Sequence, residues 1–153
     1  MQIVKEQYIF YENLLSYKTI IEIENIFEVI GYILKNIDKI GVQKINKMIF
    51  CMYGGIYSGK KNEIEFLIPV DNTLTDNDYF SFKPIFKMIN AVKIRHEGLP
   101  KDLHISYDLL IDYIKKNGYK PITPAYCMVV RCDNEIPSNG IIDIYIGLNS
   151  NIL

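Results

Sequence analysis

The 153 residues offer room for one domain of common size, taken here as 1–153, and with nearly half of them apolar the chain can bury a real core. Seventeen Lys and Arg against eighteen Asp and Glu give a net charge of −1. The basic residues are scattered, which argues against a nucleic-acid partner, and ordinary charge content argues against general disorder.

No apolar run is long enough to cross a membrane, and Met1 to Glu6 lack the apolar core and small-residue cleavage site of a signal peptide. The expected compartment is therefore the cytoplasm. Composition rich in Ile, Lys, Asn and Tyr suggests a bacterial genome of low GC content. Cys51, Cys127 and Cys132 are odd in number and form no C-x-x-C pair, so they are read as small strand hydrophobes. No metal site and no cofactor is expected.

Tyr8 to Tyr11 reads as a strand. From Ile20 to Ile40 the apolar residues Ile23, Ile26, Phe27, Ile30, Ile33, Leu34 and Ile37 recur at three- and four-residue steps, the pattern of an amphipathic helix, with Gly41 as its stop. Lys47 to Tyr53 and Glu63 to Val70 read as a strand hairpin across Gly54, Gly55 and Gly59. A polar stretch from Asp71 to Asp78 connects the halves. The order then repeats: a strand over Phe86 to Glu97, a helix over Leu103 to Lys116 closed by Gly118, a strand over Tyr126 to Cys132, a turn over 133–140, and a last strand over Ile141 to Leu148.

The halves match residue by residue at nearly one offset. Ile30, Ile33, Leu34 and Ile37 match Tyr107, Leu110, Ile111 and Ile114, and Gly41 matches Gly118. Phe50-Cys51-Met52 is aligned with Tyr126-Cys127-Met128, and Glu65 to Val70 with Asp143 to Leu148. The expected fold class is α+β: two tandem β-α-β-β repeats, about 8–70 and 86–148, forming a curved antiparallel sheet with both helices on one face.

This order resembles the gyrase-inhibitor-like (GyrI-like) fold, also found as the effector-binding domain of bacterial transcription activators. The likeness rests on Arg95-His96-Glu97-Gly98, the helix with Tyr107 and Tyr113, Lys116 to Tyr119, Pro121 to Tyr126, and the strand ending Ile68-Pro69-Val70. The second repeat departs from it, ending Ile146-Gly147-Leu148. The sequence leaves no room for the helix-turn-helix of the regulators, so it reads as a stand-alone, divergent member. The resemblance implies a cleft between the repeats where a carboxylate and aromatic walls hold flat, often cationic, organic molecules.

Strand alternation supplies candidates. Ile64, Phe66, Ile68 and Val70 should face the helices, as should Ile142, Ile144, Ile146 and Leu148. Glu65 and Asp143 then take equivalent positions on the other, open side of the sheet, with Tyr126 and Tyr145 as walls. The face occupied by Tyr53 is not settled by the pattern. A one-sided sheet shows such alternation anyway, so Glu65 and Asp143 can equally be read as solvated residues. His96, at a strand end, is a further candidate ligand-side residue, against its reading as a surface histidine. No nucleophile or phosphate motif is present.

Three functions follow. The first is binding of a small organic ligand, cations among them. The second is a protein-interaction role as an inhibitor, immunity or toxin-secretion accessory protein. The third is a small-molecule hydrolase of the same fold, with Glu65 or Asp143 as base and Tyr145 orienting.

Overall fold

The structure is a computed structural model, described for residues 2–73, 76–132 and 140–149. The turn expected over 133–140 lies outside the described residues except for Gly140, and so do two positions of the polar connector, 74 and 75.

Six strands and two helices follow the expected order: β1 (Ile3–Glu22), α1 (Ile26–Lys39), β2 (Ile49–Met52), β3 (Lys61–Pro69), β4 (Ser81–Gly98), α2 (Leu103–Lys116), β5 (Tyr126–Cys132) and β6 (Gly140–Gly147). Single 3-10 turns, Ile23–Asn25 and Pro100–Asp102, lead into the helices. Gly41 (φ 80°) and Gly118 (φ 66°) end the helices in the left-handed conformation that glycine adopts without strain. All strand pairs are antiparallel, and the order β1-β3-β2-β5-β6-β4 closes on itself.

The sheet has two apolar sides. One packs on both helices: Ile30, Ile33 and Ile37 of α1 and Leu110 and Ile114 of α2 meet Phe50, Ile64, Phe66, Ile68, Val92, Ile94, Ile142 and Ile144. The other lies inside the closure and takes residues from all six strands, among them Ile9, Leu14, Ile49, Leu67, Phe86, Met88, Met128 and Tyr145. The side expected to be open is therefore filled. The pairing of β1 with β4 causes this: the two run alongside each other from Ile3–Ile94 to Ser16–Ser81, which closes the sheet and turns Ile9, Phe86 and Met88 inward.

A pseudo-twofold axis relates the repeats and passes beside the Phe50–Cys127 pair. Ile49 opposes Met128 and Cys51 opposes Tyr126, each pair being the mate of the other. Phe50 is thus equivalent to Cys127, one place from the alignment of Phe50 with Tyr126 that the sequence suggested. In a strand a one-residue slip exchanges the two faces. Elsewhere the offset holds: Val70 N–H donates to Asn13 O as Leu148 N–H donates to Asn90 O, and both asparagines take the left-handed conformation (φ 57° and 53°).

Candidate functional site

On β3 the alternation sends Glu65 and Leu67 inward, away from Ile64, Phe66 and Ile68. Around the closure, Glu65 opposes Lys18 of β1 and Cys51 of β2, Cys51 opposes Tyr126, Tyr126 opposes Tyr145, and Tyr145 opposes Lys93. The twofold-related row runs Arg95, Asp143, Met128, Ile49, Leu67, Ser16. Glu65 and Asp143 are pseudo-symmetric mates, as are Lys18 and Arg95, and Ser16 and Lys93.

Both carboxylates are buried, Glu65 to 4% exposure and Asp143 to 2%, so neither is a solvated residue of a sheet face. Their partners differ. Asp143 accepts two hydrogen bonds from Arg95, from Nε at 2.8 Å and from one terminal nitrogen at 3.0 Å, with Lys93 Nζ at 3.9 Å. The two bonds form a planar fork, the geometry in which guanidinium and carboxylate pair best. Glu65 accepts from two hydroxyls, Ser16 Oγ at 2.5 Å and the Tyr53 phenol. Among the described residues no Lys, Arg or His nitrogen lies within 4 Å of Glu65. Burial alone would raise its pKa, but the Ser16 and Tyr53 hydroxyls, with the more distant charges of Lys83 and Lys18, hold it below the usual carboxylate range. Glu65 is an enclosed, ionised carboxylate without a cation in contact.

Aromatic side chains share this interior. Tyr126 meets Phe86 edge-to-face with centroids 4.9 Å apart, and Tyr11 packs on the same interior. Burial pushes the Tyr126 and Tyr145 phenols up to about 12, with the nearby carboxylates adding to it, so both stay neutral at physiological pH. Burial and the bond to Glu65 raise Tyr53 as well. Tyr53 itself is about half exposed and reaches Glu65 from the solvent side. Cys51, fully buried beside Glu65, is raised to about 12 by burial and the adjacent charge, which removes it as a nucleophile. A groove of about 480 Å³ opens between the N-terminal end of β1 and β4, along Gln2, Val4, Lys93, Arg95 and Glu97.

The structure thus brings Glu65, Tyr126, Asp143 and Tyr145 to one interior. His96 stands apart. Alternation along β4 puts it with Val92 and Ile94 on the helix side, where it is buried, with Nδ1 2.8 Å from Ser106 Oγ and Nε2 2.8 Å from Leu99 O. It is neither a surface residue nor part of the interior. The spacing Val92-Lys93-Ile94-Arg95-His96 carried that signal. Sequence reasoning also missed Ser16, Lys93 and Arg95, because β1 and β4 were expected to be shorter or were not read face by face.

No protein-family model matches the sequence, and no curated protein does. Solved structures do. The EcmrR C-terminal domain superposes with a TM-score of 0.81 at 17% identity, over 97% of each chain. EcmrR in its DNA complex gives 0.83 at 16% identity, with 97% of this chain covering 57% of that one, so the present chain spans little more than half of it. A hydrolase encoded by lin2189 of Listeria innocua gives 0.58 at 11% identity, over 97% and 91%. SAV2435, solved bound to tetraphenylphosphonium, gives 0.50 at 12% identity, over 97% and 93%. Two β-α-β-β repeats closed about a pseudo-twofold axis, in the arrangement of the EcmrR C-terminal domain, give this chain a divergent GyrI-like fold.

Proposed function

We propose that residues 1–153 act as one effector-binding-like domain that takes a small organic cation at Glu65, between the walls formed by Tyr126 and Tyr145. One observation carries this reading: an ionised carboxylate buried in an interior that also holds Tyr126 and Tyr145, bonded to two hydroxyls and, among the described residues, with no cation within 4 Å. Away from water a charge attracts its opposite more strongly, and tyrosine faces add cation–π attraction. Entry requires the Tyr53 hydroxyl to turn aside, which its position at the surface allows. The likeness in fold to SAV2435, solved bound to tetraphenylphosphonium, supports the ligand class. A net charge of −1 suits an organic cation better than a polyanion.

Calorimetry with tetraphenylphosphonium tests it. The wild type should bind. Glu65→Gln keeps the shape and removes the charge. The phosphonium has no hydrogen-bond donor, so what is lost is Coulomb attraction, about 3 kcal/mol for charges roughly 5–6 Å apart at an effective dielectric near 20; part of it is offset by desolvation, and affinity should fall ~10–100-fold. Tyr126→Ala and Tyr145→Ala should weaken binding through the lost walls. Asp143→Asn should leave affinity near wild type, because Arg95 already holds that carboxylate. No heat with the wild type, or equal affinity in Glu65→Gln, would remove this reading.

A second reading, docking of a partner protein, is favoured by a different surface. Tyr8 and Phe10 of β1 and Ile85 and Ile89 of β4 alternate with the interior residues Ile9, Tyr11, Phe86 and Met88 and are all exposed.

A further inference from the structure

The two repeats carry equivalent carboxylates and unequal cations. Lys93 opposes Tyr145 and Ser16 opposes Leu67, and Tyr145 and Leu67 each lie two residues along the strand from the carboxylate. At these mated positions repeat two presents an ammonium and repeat one a hydroxyl. The positions directly opposite the carboxylates differ as well: Arg95 faces Asp143, and Lys18 faces Glu65. Arg95 makes its two-bond fork, whereas Lys18 is exposed and stays beyond 4 Å.

We propose that Ser16 is the residue that makes repeat one the cation-accepting half of the molecule, by standing where repeat two has a lysine and so leaving Glu65 without an internal ammonium. The inference rests on the reading of Glu65 as the ligand's counter-charge and says why the site is there and not at Asp143. The reach is shown by the mate: Lys93, from the same register, brings Nζ to 3.9 Å of Asp143, although aspartate has the shorter side chain. A lysine at position 16 therefore reaches Glu65. The Ser16 hydroxyl has a different effect. It stabilises the carboxylate as an anion by one hydrogen bond and leaves its net charge for a ligand.

The experiment compares tetraphenylphosphonium binding in wild type, Ser16→Lys and Ser16→Met, with urea melts as a check on folding. Lysine and methionine both fill the space beyond the hydroxyl, and only lysine brings charge. Ser16→Lys should lower affinity at least tenfold more than Ser16→Met. Equal losses, or no loss in either, would overturn the role of Ser16 while leaving the Glu65 site standing. Absence of binding in the wild type would instead remove the site itself. Should Ser16→Lys fail to fold, Ser16→His decides: a histidine there gains its charge between pH 8 and pH 5, so phosphonium affinity should fall over that range more than in the wild type, and parallel pH profiles would count against the proposal.

Discussion

The charge of Glu65 decides how the site meets acid. The carboxyl of Glu65 has a folded-state pKa below its unfolded value, since the hydroxyls and the distant lysines outweigh burial. Such a group contributes stability that is present above the unfolded pKa, near 4.3, and is lost as pH falls through the folded pKa. Cation affinity should follow the same window. It should be flat from pH 8 to pH 5 and decline only below the ordinary carboxylate range, as calorimetry at pH 8, 5 and 3.5 would read. Affinity already falling between pH 7 and 5 would mean that a different group holds the cation. The alternation of β3 and β6 made both carboxylates legible in the sequence, because a strictly apolar alternate set leaves them only one side. Their hydrogen-bond and ion-pair partners were not legible. Tyr53 lies one residue past the end of β2, where strand alternation gives no guidance. Arg95 and Lys93 find Asp143 only through the pairing of β4 with β6, a contact across about fifty positions that no local pattern encodes.

Helix faces read well and strand ends did not. Ile33 is fully buried on α1, and its replacement by alanine should cost about 2–5 kcal/mol in urea melts. Its mate Leu110 on α2 is equally buried, while Ile111 is only partly so. The sequence treated Ile33 and Ile111 alike, but Ile111→Ala should fall clearly below Ile33→Ala, and equal costs would show that the α2 face is turned. The strands outran their expected limits because β1 and β4 mix exposed, charged and apolar residues along their length. In β1 the left-handed conformation of Asn13 also breaks the alternation between Tyr11 and Leu14. The helix was expected from Ile20, yet β1 keeps pairing with β3 up to Glu22. The departure at Gly147 has a local reason. Its N–H donates to Thr123 Oγ1 at 2.9 Å, a bond that proline, the residue of repeat one, cannot make, and a Cβ there would meet the Thr123 methyl at 2.8 Å.

At the scale of the molecule, the repeats are not two bodies placed side by side. Each central pair joins one half to the other: Ile49 with Met128 through β2 and β5, and Ile3 with Ile94 through β1 and β4. Only the β2–β3 and β5–β6 pairs connect strands adjacent in sequence. Such wiring governs the order of events during folding. Hairpins and helices can form early, but the interior that holds Glu65 exists only after β1 has found both β3 and β4, with loops of about forty residues or more closed in the search. Chains dominated by distant pairings fold over roughly milliseconds to seconds. Stopped-flow refolding should fall in that range, and the signal of a bound phosphonium should appear only in its last phase. Binding that precedes final compaction would mean that repeat one alone can build the pocket. If binding comes last, ligand selects only chains that have finished folding.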